Sequence, residues 1–419
     1  MAHRIPRPIV ELLGGFLRRH AALPDAVLSA RLEDLANGRA REVVDVRPFA
    51  VPDGGAVPAP AGAVVASDPR PTEVRARLAA LTAHVAELVR AGAVPAIELP
   101  DIHRANAIFD ERGRVFLGSK VRRLAFDRVG CKDFVRLLLA LETADANVRD
   151  DATTTKRGLF YAHRAALPED DSQVDTDRAL GSLANVLRVR RRSLGFAAAR
   201  RGTLHGRLVI RSGDAVIDVA RAGSGPMPRF ADDIEIVASD ATRIVIVEKD
   251  TIGQRLLQAG WCERARCIMV CGGGFPSTVT RELVVKLVAT LAVPAVVVAD
   301  ADPGGIRLAL TYAHGATSTA LETPWLACPD VRWAGFLPSD FERECRKSDY
   351  IRLSDVDGED ARNMLAHPSR AYLNDQVRAE LERLLSVGAK VECDALVNDP
   401  SRLMDYVERK LDEGSTIAL

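Results

Sequence analysis

Ile244-Val245-Ile246-Val247-Glu248, followed by Cys267-Ile268-Met269-Val270-Cys271 and by Ala295-Val296-Val297-Val298-Ala299-Asp300, is the part of the chain that decides its fold. Each is an apolar run of strand length, and unbroken runs of this kind belong to strands covered on both faces. Cys267 and Cys271, at even spacing, read as core residues of such a strand. Between the runs, Gln254–Ala259 and Val279–Leu291 carry helical spacing. Strand and helix therefore alternate at βαβ spacing, which predicts an α/β, Rossmann-like, mainly parallel sheet with its ligand site beyond the carboxyl ends of the strands.

Glu248 closes the first run and Asp300 the last, with Asp302 on the loop that follows, so this fold is expected to gather three carboxylates at one edge. Crowded like charges repel unless a cation joins them, and an all-oxygen set suits Mg²⁺, or Mn²⁺, rather than zinc. Acids at strand-to-helix turns also serve as caps. A lone Asp-x-Asp would fit capping; the partnered glutamate at another strand end favours the metal. Gly272-Gly273-Gly274 puts a loop without side chains beside the same edge, where backbone amides can approach a phosphate. It has neither Gly-x-Gly-x-x-Gly spacing nor a Gly-Lys-Ser/Thr ending, so neither a dinucleotide site nor a P-loop is supported.

Upstream, Thr155-Lys156-Arg157-Gly158-Leu159-Phe160-Tyr161 sets a tyrosine in a basic context that Tyr312, Tyr350, Tyr372 and Tyr406 do not share. A free phenol, with a pKa near ~10, attacks phosphorus poorly unless a cation favours the phenolate or a base takes its proton. Arg157 lies one helical turn before Tyr161 on the same face, placed to stabilise the phenolate or a pentacoordinate phosphate. The competing reading packs Phe160-Tyr161 into the core with its hydroxyl satisfied. His163 points to another face of the helix and reads as a surface residue rather than a base.

Lysine plus arginine and aspartate plus glutamate stand at 57 each in 419 residues, so bulk charge neither indicates nor excludes a nucleic-acid partner. The balance is a sum of opposed patches. From Arg178 to Arg211 there are nine arginines, Arg190-Arg191-Arg192 among them, and no acid; Asp214, Asp218, Asp232, Asp233 and Glu235 follow. Such a run reads as a solvated helix face or as a phosphate contact. Seven cysteines without a Cys-x-x-Cys pair argue against a disulfide framework or structural zinc and for a reducing compartment. There is no leader pattern, and the apolar stretch from Val284 to Ala299 is broken by Lys286, Thr290 and Pro294. The expectation is a cytoplasmic, DNA-associated (nucleoid) chain with no membrane segment.

The length predicts more than one core. A short amphipathic helix is expected around Ile9 to Arg19, and Val51 to Pro71, rich in Pro, Gly and Ala, reads as a linker. Helices are expected over Thr72–Arg90 and near Lys132–Leu141, with a strand at Ala96–Leu99 and a hairpin over Ile108–Phe116. Helices followed by a hairpin at Leu208–Val219, turned at Ser212-Gly213-Asp214, give the order of a winged helix-turn-helix. Gly223 to Pro228 marks a hinge before the periodicity changes.

Taken together, these segments resemble the A subunit of DNA topoisomerase VI and its relative, the meiotic double-strand-break transesterase. Thr155 to Tyr161 resembles the family's Thr-x-Arg-x-Ile/Leu-Tyr-Tyr motif, with Phe160 in place of the first tyrosine. Val247-Glu248-Lys249-Asp250 with Gln254-Arg255-Leu256, and Asp300-Ala301-Asp302-Pro303-Gly304-Gly305, resemble the two acidic motifs of its Toprim domain. Trp333-Ala334-Gly335, Pro338-Ser339-Asp340, Leu353-Ser354 to Leu365 and Gly388-Ala389-Lys390-Val391-Glu392 extend the likeness from about residue 71 to the C-terminus. There are departures: Cys271-Gly272-Gly273-Gly274-Phe275-Pro276-Ser277 stands where the family has Gly-Lys-Gly-aromatic-Pro-Asp, and Gly304 replaces an aromatic.

The resemblance implies a CAP-like winged helix-turn-helix domain followed by a Toprim domain: residues 1–70 as an N-terminal extension and linker for a partner, 71–222 as the DNA-cleavage domain, and 223–419 as the metal-binding domain with C-terminal helices. It implies a homodimer in which Tyr161 of one protomer meets the metal of the other, held by Glu248, Asp300 and Asp302. Tyr161, aided by Arg157, would attack double-stranded DNA and form a 5′-phosphotyrosyl ester; Lys156, Arg190, Arg191, Arg192 and Arg201 would contact phosphates. The first reading is the DNA-cleaving subunit of a type IIB, ATP-hydrolysing topoisomerase working with a separate GHKL-type ATPase B subunit. The alternatives are a stand-alone homologue that breaks or nicks DNA, and a Toprim metallonuclease in which Tyr161 is structural.

Overall fold

The computed structural model describes residues 5–21, 23–42, 58–166, 172–198, 201–397 and 400–419. They fall into two compact units, each with its own core. The first comprises Met1–Ile108, Phe116–Ala197 and Thr317–Glu322. It is mainly helical, with helices over Arg7–His20, Asp25–Ala36, Pro71–Arg90, Cys131–Arg149, Lys156–His163 and Gln173–Leu187, and an antiparallel pair of strands, Ala96–Pro100 and Val121–Ala125.

The amphipathic N-terminal helix forms where the spacing predicts it, with a proline in its first turn and a stripe of Ile9, Val10, Leu13, Phe16 and Leu17 turned inward. That stripe, together with Leu28, Leu32 and Leu35 of the next helix, is part of the same core as Leu81, Phe134 and Leu183. The start of the chain is thus built into the first unit, and the extension expected over residues 1–70 is corrected to that extent. The expected linker falls partly on residues 51–57, outside the described residues. Its later part is docked by backbone bonds: Ala66 N–H donates to Leu321 O, Ser67 N–H to Arg188 O, and Arg190 N–H to Ser67 O.

The second unit comprises Phe109–Val115, Ala198–Ala316 and Thr323–Leu419. Its sheet runs Ile417–Ala418, Val331–Gly335, Ala295–Val298, Arg243–Val247, Cys267–Cys271, Thr203–Gly206. The four inner strands are parallel and both edges antiparallel. Ile244 to Val247, Cys267 to Cys271 and Ala295 to Val298 are all exposed by 1% or less, as unbroken apolar runs require. The chain leaves Arg243–Val247, crosses through the Asp250–Gln258 and Trp261–Arg264 helices to one neighbour, and returns through the Thr278–Leu291 helix to the neighbour on the other side. That reversal makes the carboxyl end of Arg243–Val247 a topological switch point, where doubly wound sheets bind ligands.

The hairpin turned at Ser212-Gly213-Asp214 also forms, as Val209–Ser212 and Ala215–Asp218, but in the second unit. Leu208, Ile210 and Val219 belong to the core of the parallel sheet, and Ile234–Ala238 adds a third strand. Apolar packing therefore draws the expected wing away from the unit that carries Tyr161, and the units divide between Ala197 and Ala198 rather than at the Gly223–Pro228 hinge. Among the described residues, no helix is long and apolar enough to cross a membrane.

Ile246 lies fully buried in the middle of the central strand. Ile246→Ala is expected to cost about 2–5 kcal/mol. Val216→Ala, on the exposed side of the hairpin, should stay within about 0.5 kcal/mol, urea unfolding being the measurement for both.

Candidate functional site

Tyr161 stands on a short exposed helix, Lys156–His163, whose start is fixed in two ways. Thr154–Thr155 pairs in parallel with Phe196–Ala197, and Thr155 Oγ1 accepts the Gly158 N–H at 3.0 Å as an N-cap. Leu159 anchors the buried side, while Tyr161 is 55% exposed, so the core-packing reading of the tyrosine fails. Arg157 Nη2 donates to Tyr161 Oη at 3.4 Å, and its guanidinium lies 5.6 Å from the ring centre, as the one-turn spacing predicts. That hydrogen bond and the charge behind it, with a further contribution from Arg164, hold the phenol below its ordinary pKa.

The other four tyrosines all shift the opposite way, Tyr312, Tyr350, Tyr372 and Tyr406 each being pushed up first by burial. Tyr161 alone is exposed, cation-paired and acidified. His163 is half-buried rather than at the surface, with Nε2 2.8 Å from Thr143 Oγ1.

The arginine cluster is arranged differently from either expectation. Arg190 is 3% exposed and its Nη1 lies 3.0 Å from Asp68 Oδ2. Arg192 reaches the same carboxylate at 3.8 Å, and Ser193 Oγ donates to Asp68 Oδ1. Arg191 is committed to Glu322 at 3.4 Å and to Ser318 O at 2.9 Å. The assignment of these three as phosphate contacts is corrected: their charges clamp the first unit together. Lys156 remains at the surface, 3.0 Å from Asp177, and Arg201 is exposed.

In the second unit, Glu248 follows the Arg243–Val247 strand and Asp300 the Ala295–Val298 strand, and Glu248 Oε2 accepts the Asp300 N–H at 3.2 Å. Asp300 is 6% exposed and its Oδ1 accepts the Cys393 N–H at 2.8 Å. Asp302 caps the Pro303–His314 helix by accepting the Gly305 N–H at 2.7 Å. Burial, then the charge of Asp300, pushes Glu248 up to about 7. Burial, partly offset by the Gly305 N–H, raises Asp302 as well. The capping reading is therefore true of Asp302, and it coexists with a crowded acidic edge in which Glu248 and Asp302 are both raised.

Sequence reasoning missed Lys249. Its ammonium lies 2.9 Å from Asp300 Oδ2, 3.0 Å from Glu392 Oε2 and 2.8 Å from Asp394 Oδ2. With Asp300 turned to this lysine, no group of three His, Cys, Asp or Glu side chains among the described residues is arranged to hold a metal ion as it stands. The donor set of Glu248, Asp300 and Asp302 nonetheless fits a hard divalent ion: all oxygen, half sheltered, with the carboxyl pKa values of Glu248 and Asp302 raised by burial and crowding.

The glycine loop is pinned beside these acids, Gly272 N–H donating to Val247 O and Gly274 N–H to Glu248 O. Gly273 and Gly274 have φ of 65° and 96°, conformations that glycine supplies without strain, and Phe275 at the tip is 56% exposed. Gly305 is required for another reason, since a Cβ there would lie 2.2 Å from Asp300 O.

Comparison with known proteins bears on both halves. Residues 243–411 match the family model of the Toprim domain shared by the A subunit of topoisomerase 6 and Spo11, and residues 132–196 match that described as "Type IIB DNA topoisomerase". The chain is 32% identical over 290 residues to the meiotic recombination protein SPO11-1 of Oryza sativa subsp. indica, a match covering 67% of this chain and 74% of that protein. It is 32% identical over 282 residues to the meiotic recombination protein SPO11 of Mus musculus, covering 66% and 69%. With the A subunit of the type 2 DNA topoisomerase 6 of Saccharolobus shibatae it shares 27% identity over 367 residues, covering 80% and 93%.

Two outcomes test the site's physics. In an ultraviolet titration, the first phenolate to appear as pH rises should be that of Tyr161; it should vanish in Tyr161→Phe and move to higher pH in Arg157→Met. Gly305→Ala should cost about 1–3 kcal/mol in thermal unfolding, because the added methyl forces helix and acidic turn apart.

Proposed function

Since the chain belongs to the family of Spo11 and the topoisomerase 6 A subunit, we propose that it cleaves double-stranded DNA by transesterification with Tyr161 as nucleophile. The observation that carries this reading is the pairing of the exposed Tyr161 hydroxyl with Arg157, which acidifies that phenol while the other tyrosines shift the opposite way. Tyr161 Oη attacks the phosphorus, the bond from phosphorus to the 3′ oxygen breaks, the phenol proton is lost and the 3′ oxygen leaves as a hydroxyl. The 5′-phosphotyrosyl ester keeps the energy of the bond it replaces, so resealing by the reverse step needs no nucleotide. Arg157 holds the phenolate and then the phosphoryl oxygens.

Glu248, Asp300 and Asp302 are the residues to hold Mg²⁺, or Mn²⁺, which when bound supplies charge stabilisation at the scissile phosphate. The first unit, which carries Tyr161 on its mainly helical framework, serves as the DNA-cleavage domain. Lys156 and Arg201, left at the surface, meet phosphates without reading sequence. One nucleophile per chain serves one strand, so a double-strand break calls for a homodimer.

Two roles share this chemistry. In a type IIB topoisomerase the chain would work with a separate GHKL-type ATPase B subunit, resealing what it cuts. As a stand-alone homologue it would leave breaks, a role favoured by the higher identity to the SPO11 proteins and by the missing lysine of the Gly272–Gly274 loop.

Incubating the full chain with supercoiled plasmid and Mg²⁺ or Mn²⁺, stopping with detergent and digesting with protease should reveal DNA with peptide on its 5′ ends. Tyr161→Phe should reduce this to background, and Arg157→Met should lower it by about 10²–10³-fold. Free 5′ ends that survive Tyr161→Phe would replace the proposal with a metallonuclease; religation on adding an ATPase partner would select the topoisomerase role.

A further inference from the structure

Lys249 sits at the acidic edge as a charged group that the cleavage chemistry does not use, and it is held there by construction. All three ammonium hydrogens have a carboxylate within reach, at Asp300, Glu392 and Asp394. The outer two acids are not loose side chains that happen to lie nearby. Their segment is locked to the acidic turn by the Ala301–Val391 bridge, with Ala301 N–H donating to Val391 O at 2.9 Å, and by the Cys393 N–H on Asp300 Oδ1. Asp300 thus belongs to two groups: one with Glu248 and Asp302, on whose carboxyls its charge acts, here called inner, and one with Glu392 and Asp394 round Lys249, here called outer.

We propose that Lys249 is a built-in cation that fills the outer of two cation positions sharing Asp300, so that each chain takes up one divalent ion, on the inner side with Glu248 and Asp302. This rests on the metal reading above and sharpens it. Three carboxylate oxygens 2.8–3.0 Å from one point form the shell of a monovalent ammonium, and they leave no room for a second metal while Lys249 is in place. The lysine also keeps Asp300 oriented before an ion arrives, because Oδ2 is held by the ammonium while Oδ1 is held by the backbone. Lys249 is in these terms a positioning residue.

The test is to count tightly bound Mn²⁺ per chain, by electron paramagnetic resonance of the free ion and by calorimetry, on the purified full-length protein without DNA. Wild type and Lys249→Arg should bind one ion. Lys249→Met should bind two, and adding Glu392→Gln and Asp394→Asn to it should return the count to one. If Lys249→Met does not fold, Lys249→Gln carries the same expectation. Two ions on wild type, or one on Lys249→Met, would overturn the proposal and leave the metal reading standing. No Mn²⁺ on wild type, with Asp302→Asn indistinguishable from it, would remove the metal reading and this proposal together.

Discussion

The bond from the Asp300 amide to Glu248 crosses between two parallel strands that diverge from a topological switch point, and the acidic edge depends on it. Parallel register carries Glu248 and Asp300 out at the same end of the sheet; antiparallel pairing would have set them at opposite ends. Burying carboxylates in this way works against folding, which is why Glu248 rises to about 7. The sheet sustains that cost because the strands beneath are almost wholly excluded from water. Gly305 and the glycine loop are further conditions of the same arrangement, one letting a helix start against Asp300, the other letting backbone lie against Glu248.

The two halves of the chemistry carry opposite imprints. Tyr161 is exposed and acidified by a cation on its own helix, whereas Glu248 and Asp302 are sheltered and made less acidic by burial and by their neighbours. The proposed nucleophile would have to reach a large substrate and shed its proton, and a surface helix suits that role. Acids proposed to hold a metal ion would need a fixed geometry more than access, and strand ends suit that role.

Much of this was legible in the chain itself. The apolar runs around Ile246 and Val297 could only be buried strands, and the spacing from Arg157 to Tyr161 could only place them on one face of a helix. What escaped sequence reasoning was every feature whose partner lies far along the chain. Arg190 and Arg191 read as a solvated or DNA-facing run because Asp68 and Glu322 are more than a hundred residues away. Lys249 read as an ordinary member of a motif because Glu392 and Asp394 complete its surroundings. The hairpin at Val209–Asp218 was recognisable as a hairpin, but the core that Leu208 and Val219 join is a tertiary property, and local pattern does not carry it.

Neither compact unit is a continuous length of chain. Thr317–Glu322 is a six-residue loan to the first unit, which it supplies with Glu322 for Arg191 and with the Leu321 carbonyl for Ala66; Phe109–Val115 is lent to the second. A single genetic crossover between Ala197 and Ala198, where the two main blocks meet, would part both loans from their borrowers. The pairing of a tyrosine-bearing half with an acid-bearing half is thus tied to how the polypeptide is threaded, since neither half can be exchanged whole at that junction.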